Sequence, residues 1–227
     1  MKDVRKIVFM LAAAVALLPC FQNQALAQYQ QPVVAPSDTL SGVRYDSKWE
    51  FYGGVAYSHF NAGADLVQGS NLGGFDVQAA RFLTKRWAVA ASGRGYLGTS
   101  GVVPNPYGIK GPFVSEYMFM AGPEYRGPSN QHVSLTLHAL FGGAYGSFES
   151  ALQDQSGARV PPAALGLFSN QTTFGSAIGG SIDLNRSAKW AFRISPDATL
   201  TNFGSAGIHE QFAISVGVVY RLGHGLY

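Results

Sequence analysis

The chain of 227 residues has 28 glycines, 13% aromatic residues and only 13% charged residues, a composition that suits strands facing hydrocarbon. Its single cysteine, Cys20, excludes a disulfide framework or a cysteine-based metal site within one chain. The pI of about 9.0 does not indicate a nucleic-acid partner. Three basic residues and one acidic residue lie in an N-terminal segment that is predicted to be removed, and 13 basic and 12 acidic residues then remain.

The N-terminus has the pattern of a secretory signal peptide. Basic residues within the first six positions precede an apolar run from Ile7 to Leu18, and Ala25-Leu26-Ala27 follows as a cleavage site. We therefore assign residues 1–27 to a signal peptide. The run is shorter than the roughly 20 apolar residues of a transmembrane helix, and no later segment is long enough. Pro19 before Cys20 argues against lipidation.

Residues 28–47 are rich in Gln, Pro and Ser and predict a flexible periplasmic tail, and residues 48–223 predict one β-barrel domain. The barrel segment contains eight runs in which apolar and small or polar residues alternate, as the side chains of a strand do. Pro196, inside the seventh run, predicts a bulge or an error in register. The runs are Trp49 to Ser58, Gly74 to Phe82, Trp87 to Gly98, Phe113 to Tyr125, His132 to Gly146, Thr173 to Leu184, Trp190 to Thr201 and Gln211 to Leu222.

Short polar turns and longer loops separate these runs in alternation. The turns are 84–86, 126–131 and 185–189, and the loops are 61–73, 99–112, 147–172 and a short 203–209. This order predicts an all-β fold, an eight-stranded antiparallel up-and-down transmembrane β-barrel. A soluble β-sandwich also alternates, but its second faces would be richly charged, whereas here they are mostly Gly, Ala, Ser and Thr.

Aromatic residues mark one end of the predicted barrel. All three tryptophans begin odd-numbered strands, and further aromatic residues lie near the ends of even-numbered strands. This pattern predicts an aromatic girdle at the periplasmic membrane interface, with the long loops facing outward from the cell. The girdle residues are Trp49, Trp87, Tyr125, Trp190 and Tyr220, and Phe82 lies at the same rim.

The last strand carries the most specific resemblance. A polar residue, a glycine, an aromatic residue and a final hydrophobic residue stand at fixed spacing at Ser215, Gly217, Tyr220 and Leu222. Over residues 48–223 the chain resembles the small outer-membrane β-barrel family, which includes the transmembrane domain of outer membrane protein A and porin-family relatives. The resemblance implies location in the bacterial outer membrane, contact with its lipid and lipopolysaccharide, and recognition of this pattern by the barrel-assembly machinery. The extra residues 223–227 depart from relatives that stop at an aromatic residue, although Tyr227 could restore it.

Charged residues on the inward faces predict ion pairs across the lumen, because buried charges need partners. We expect Arg94 to lie between Asp76 and Glu116, and Arg193 to lie near Asp183 with Asp197 above it. Such pairs favour a structural plug in a barrel just wide enough to be filled by side chains. The alternative is a narrow porin-like water path, which would favour cations because inward acids outnumber inward arginines.

An enzymatic role is the distant alternative. His132 and Ser134 form an H-x-S pair similar to that of outer-membrane lipid A deacylases, and a His beside a Ser supports nucleophilic catalysis. Both residues follow a short turn at the periplasmic rim, whereas the lipid A substrate occupies the outer leaflet. We therefore predict no catalytic residues. We also predict no cofactor and no metal, since the remaining histidines are scattered and the glycines have no phosphate-binding arrangement.

The longest predicted loop, residues 147–172, has more apolar residues than a solvated loop needs. This composition indicates either a contact surface for an extracellular partner or a lid over the mouth of the barrel. Self-packing on the rim of the barrel is the alternative. The apolar and proline residues concerned are Phe148, Leu152, Pro161, Pro162, Leu165 and Phe168.

Overall fold

The structure is a computed structural model that describes residues 40, 42–63, 66, 69–150, 152–204 and 207–224. The predicted signal peptide with Cys20, residues 28–39 and 41 of the predicted tail, and Tyr227 lie outside the described residues. Among the described residues, no helix is both long enough and apolar enough to span a membrane.

Eight antiparallel strands form one closed barrel in sequence order, and the first strand pairs with the last. This confirms the predicted fold class and the order of all eight strands. The strands are β1 Ser47–Phe60, β2 Ser70–Phe82, β3 Trp87–Thr99, β4 Phe113–Ser129, β5 Val133–Ser150, β6 Gln171–Asn185, β7 Trp190–Thr201 and β8 His209–His224.

The alternation in the sequence sets the two faces of the barrel. Outward side chains are large and apolar, and Phe119 and Val55 are 74% and 73% exposed. Inward side chains at neighbouring positions are small or polar and buried, as along β8, where Ser215 is buried and Val216 is exposed. A folded chain that exposes a continuous apolar belt on a closed polar-filled barrel is built for a hydrocarbon solvent.

Several strands extend beyond the predicted bounds. β2 starts at Ser70 within the predicted first loop, β4 continues to Ser129 through the predicted turn, and β5 continues to Ser150. Glycine and polar residues there resemble a loop in sequence, yet ladder hydrogen bonds need only their backbone groups. The connecting loops are therefore L1 (61–69), L2 (100–112), L3 (151–170) and L4 (202–208).

Pro196 does not shift the register of β7. The pairs Gly179 with Asp197 and Ile182 with Ile194 lie in one continuous register, and the two pairs between them are missing. The ladder is thus interrupted because proline lacks an N–H group, but the predicted bulge or register error is absent. Register shifts occur instead between β4 and β5, at both ends of that pair.

Two of the short turns have the same geometry. In the β2–β3 turn, the N–H of Trp87 donates to Thr84 Oγ1 at 3.0 Å, and in the β6–β7 turn the N–H of Trp190 donates to Ser187 Oγ at 3.1 Å. In both places an arginine of the next strand donates its backbone N–H to a turn carbonyl. Arg126 donates to Arg86 at 2.7 Å, and Arg221 donates to Lys189 at 2.8 Å. These turns and the start of β1 form what we call the turn rim, and L1–L4 form the opposite loop rim.

Candidate functional site

The predicted girdle residues face outward at the turn rim. Trp87 packs against Tyr125 with ring centroids 4.9 Å apart, and Trp190 packs against Tyr220 at 4.6 Å. Trp49 stacks on Phe51, and the guanidinium of Arg81 lies 5.6 Å from the Trp49 ring. Phe82 differs from its neighbours, because its ring is buried inside the barrel. The girdle thus has five members, and their interfacial role stays a prediction.

Glu50 is the centre of a buried ion-pair cluster near the turn rim, which we call the ionic layer. Its carboxylate lies 2.5 Å from Arg126, 3.3 Å from Arg193 and 3.0 Å from Arg221. Asp183 adds pairs to Arg193 at 2.6 Å and to Arg221 at 3.2 Å. Because the five residues come from β1, β4, β6, β7 and β8, their side chains fill the lumen at this level.

Tyr45 closes the turn rim below the ionic layer. Its ring centroid lies 5.1 Å from the Arg126 guanidinium and 5.0 Å from that of Arg221, so it stacks between two cations. The hydroxyl of Tyr45 donates to the carbonyl of Asn130 at 2.8 Å and accepts from the Asn185 amide at 2.6 Å. The last residues of the predicted tail are therefore part of the fold.

A second polar cluster crosses the middle of the lumen. Arg94 on β3 lies 3.5 Å from Asp76 on the neighbouring strand and 2.7 Å from Asp197 on β7, four strands away. Asp197 also lies 2.7 Å from His138, and Ser92 donates to Asp76 at 3.1 Å. We call this set the middle layer; it bridges opposite walls of the barrel.

The predicted contact between Arg94 and Glu116 is absent. Glu116 instead accepts a hydrogen bond from the Gln211 amide at 3.3 Å, and Glu124 accepts one from Gln78. Arg94 turns to Asp197 because that carboxylate lies across the lumen, and strand alternation does not give cross-lumen distances. Within the described chain, neither Glu116 nor Glu124 has a cation at ion-pair distance.

Glu50, Arg126, Arg221 and Tyr45 are among the cluster members that sequence reasoning missed. The alternation that starts at Trp49 puts Glu50 on the inward face but indicates no partner for it, and the sequence predicts a turn at Arg126, which belongs to β4. Arg221 lies inside the predicted last run, between the outward residues Tyr220 and Leu222, so the alternation itself puts it on the inward face. Tyr45 had no such signal, because it precedes the first strand and enters the lumen only through tertiary packing.

The H-x-S pair does not form a catalytic arrangement. His132 lies in the exposed turn before β5, where Nε2 contacts the Gln131 amide at 3.1 Å, whereas Ser134 is buried inside the barrel. In the described part of the chain, no group of three or more His, Cys, Asp or Glu side chains is placed to hold a metal ion.

The loop rim is covered by an apolar cluster, which we call the loop cap. Phe60, Phe148 and Phe203 pack together with centroids 5.4–6.1 Å apart, and all three are buried. Loop side chains complete the cluster over the end of the lumen. The buried loop residues are Ala62, Leu66, Leu152, Val160, Leu165, Leu167 and Phe168.

Backbone hydrogen bonds join the loops within the cap. The N–H of Phe168 in L3 donates to the Ala62 carbonyl in L1 at 2.9 Å, and the N–H of Val103 in L2 donates to the Leu165 carbonyl at 3.2 Å. The large apolar side chains of L3 therefore pack within the protein, as in the lid and self-packing interpretations. Its exposed tip is a tight turn, in which Ser156 donates to Asp154 and so lowers the pKa of that carboxyl.

The predicted assembly pattern lies along β8 with two residues on each face. Ser215 and Gly217 face inward, and Tyr220 and Leu222 face outward. Gly217 lies at the seam where β8 meets β1, and a Cβ there would collide with the Gly53 carbonyl and the Gly54 Cα. The glycine thus has a packing reason of its own, and its recognition by the assembly machinery stays a prediction.

Searches for related sequences found no match, either among protein-family models or among curated proteins. Solved structures do match. Neisserial surface protein A shares 12% identity at a TM-score of 0.55, over 78% of this chain and 98% of that one. Ail, the attachment invasion locus protein of Yersinia pestis, shares 20% identity at a TM-score of 0.50, over 78% and 99%.

OprG, an outer membrane protein of Pseudomonas aeruginosa, shares 12% identity at a TM-score of 0.50, over 80% of this chain and 98% of that one. At these identities the likeness concerns the fold. Together with the exposed apolar belt and the polar interior, it confirms the predicted fold: this chain is a small eight-stranded β-barrel of the outer-membrane type.

Proposed function

We propose that this protein is a structural component of the bacterial outer membrane whose lumen is closed to solutes. The observation that carries the proposal is the continuity of the filling. Tyr45 and the ionic layer occupy the turn rim, the middle layer bridges opposite walls, and the loop cap covers the other mouth. Each barrier needs several side chains to move together before water passes.

Planar-bilayer recording tests this proposal directly. We expect wild-type protein to give no sustained conductance above that of the bilayer. Arg94→Ala removes the bridge of the middle layer but leaves the ionic layer and the loop cap, so we expect it to stay closed as well. Arg81→Ala, which changes an outward arginine on the adjacent strand, is the matched control. A steady wild-type conductance would overturn the closed-lumen proposal.

A narrow cation path is the second candidate, and one observation favours it. Six carboxylates but only four arginines are buried in the described barrel, and Glu116 and Glu124 have no cation at ion-pair distance. Acidic side chains along a pore select for cations. If this function is correct, wild-type protein conducts cations in preference to anions, and Glu116→Gln reduces that preference. Equal permeability to both would contradict it.

The proposed role is not enzymatic. His132 is exposed in a turn and Ser134 is buried inside the barrel, and this separation supports a role without catalysis by the pair. The test is acyl release from lipopolysaccharide by purified protein. Release that is lost in Ser134→Ala would contradict a purely structural role.

A surface-contact role would depend on the exposed tip of L3. The name of Ail describes attachment and invasion for that protein. In this chain the large apolar side chains of L3, such as Leu165 and Phe168, are buried, so an extracellular partner would meet the exposed residues 155–159. Replacing these five residues with a Gly-Ser linker should abolish partner binding to whole cells while the folded barrel remains.

A further inference from the structure

A basic pocket opens at the turn rim on one side of the barrel. It has a volume of about 590 Å³ and lies between residues 44–45, the β2–β3 turn and the end of β4. Its cations are Arg44, Lys85, Arg86 and Arg126, and none of the described residues that line it is acidic. Glu50 binds Arg126 at 2.5 Å, so the three exposed cations are the ones available to an anion.

An apolar groove of about 680 Å³ lies on the outer surface of the same strands. Its floor is made of small residues: Ala91 pairs with Ala79 on β2 and with Ala121 on β4, and Gly93 follows on β3. Larger outward rings, including Phe51 and Phe119, bound the groove. It faces the membrane, where hydrocarbon chains are the solvent.

The pocket and the groove are aligned along the strands. Trp87, beside the basic pocket, lies four residues from Ala91 on β3, a distance of about 13 Å at the rise of a strand. The Trp87–Tyr125 pair lies between the pocket and the groove, at the depth where amphipathic rings meet headgroups. An amphiphile with a negative headgroup at the turn rim and a hydrocarbon chain directed to the middle of the bilayer matches both the basic pocket and the apolar groove.

We propose that this face of β2–β4 is a binding site for an anionic phospholipid of the periplasmic leaflet. Arg44, Lys85 and Arg86 hold its phosphate, and one acyl chain lies in the groove over Ala79, Ala91 and Ala121. Charge complementarity selects an anionic headgroup, and the apolar groove selects a lipid rather than a soluble phosphate. This site is independent of whether the lumen conducts.

The β6–β7 turn provides a matched control within the same molecule. It has the same backbone hydrogen bonds, it carries the exposed cations Arg186 and Lys189, and Trp190 packs on Tyr220 as Trp87 packs on Tyr125. Each turn therefore has its own tryptophan reporter at the same rim.

The experiment measures quenching of a single tryptophan by lipids that carry bromine on the acyl chains. Trp49→Phe with Trp190→Phe leaves Trp87, and Trp49→Phe with Trp87→Phe leaves Trp190. Each protein is reconstituted in phosphatidylcholine vesicles with increasing brominated phosphatidylglycerol, and in parallel with brominated phosphatidylcholine. We expect half-maximal quenching of Trp87 at a lower phosphatidylglycerol fraction than that of Trp190, and no such difference with phosphatidylcholine.

Variants then test the two parts of the site. Lys85→Ala and Arg86→Ala should each raise the phosphatidylglycerol fraction for half-maximal quenching of Trp87 by about fivefold, the usual effect of one cation near an anionic surface. Arg186→Ala and Lys189→Ala should not change it. Ala91→Leu fills the groove and should weaken quenching of Trp87 while the basic pocket is intact.

Three outcomes would overturn the proposal. Equal quenching of Trp87 and Trp190 by phosphatidylglycerol would show that the face has no lipid preference. Displacement of the brominated lipid by inorganic phosphate would show that the pocket takes soluble phosphate. Protection of Trp87 from both brominated lipids would show that protein, such as a second copy of the chain, covers the groove.

Discussion

Glu50 compensates more buried positive charge than any other single residue in the described lumen. It contacts Arg126, Arg193 and Arg221, while Asp183 supports two of the same three. The arginines remain charged under all ordinary conditions, so a missing carboxylate cannot be compensated by loss of a proton. We therefore expect the stability of the turn rim to depend more on Glu50 than on any other acidic side chain of the described lumen.

Glu50→Gln should lower the free energy of unfolding by about 3–5 kcal/mol, because it leaves buried guanidinium groups without their counter-charge. The measurement is urea unfolding in detergent, followed by the change in gel mobility between folded and unfolded barrel. Glu210→Gln, an exposed carboxylate on β8, is the control and should change stability little. Equal stability of the two variants would contradict the central role of Glu50.

At the scale of elements, the seam between β1 and β8 decides whether the barrel closes. Gly54 faces Gly217 across this seam, with the backbones so close that a side chain on Gly217 has no space. The neighbouring Gly53 faces outward and has nothing within 4 Å of an added Cβ. Gly217 and Gly53, which both lie at this seam, therefore differ in whether they can accept a side chain.

Gly217→Ala should destabilise the folded barrel by about 1–3 kcal/mol through overpacking, and Gly53→Ala should be tolerated. The measurement is the folded fraction after refolding into detergent without assembly proteins. This condition separates the two interpretations of Gly217. Normal refolding of Gly217→Ala would show that the glycine serves recognition by the machinery and not packing of the seam.

At the scale of the whole molecule, the outer and inner surfaces of the barrel wall are suited to different surroundings. The outer surface carries exposed aromatic and aliphatic side chains over its full circumference, from Val55 on β1 to Val216 on β8. The inner surface carries charges that find partners on neighbouring strands and across the lumen. A soluble β-sandwich would bury the apolar side chains and expose the charged ones. The opposite arrangement seen here is that of a membrane protein.

Phe119→Arg, in the middle of the belt, should cost about 2–4 kcal/mol of folding free energy in lipid, and Leu222→Arg near the turn rim should cost about 0–1 kcal/mol. Urea titration of both variants in lipid vesicles measures the difference. Similar costs at the two positions would show that the belt does not follow the depth of a bilayer.

The periodicity of the amino-acid sequence is sufficient to predict the eight strands, their order, and which side chains face the lipid and which face the lumen. A two-residue period is a local property, and each inward residue such as Arg94 or Asp183 could be assigned without knowing its partner. The ends of the strands could not be predicted in the same way. Polar residues such as Ser70 pair through backbone hydrogen bonds, and these do not depend on the type of side chain.

The pairs of residues that meet across the lumen could be identified only from the folded barrel. Arg94 reaches Asp197 on β7 rather than Glu116 on the next strand, and Tyr45 stacks between two arginines that lie far apart in the chain. Closure of the barrel brings these strands opposite one another, and the distance between their side chains depends on the diameter of the whole barrel. The same closure buries the large apolar side chains of L3, whose composition alone left a surface contact, a lid and self-packing on the rim all open.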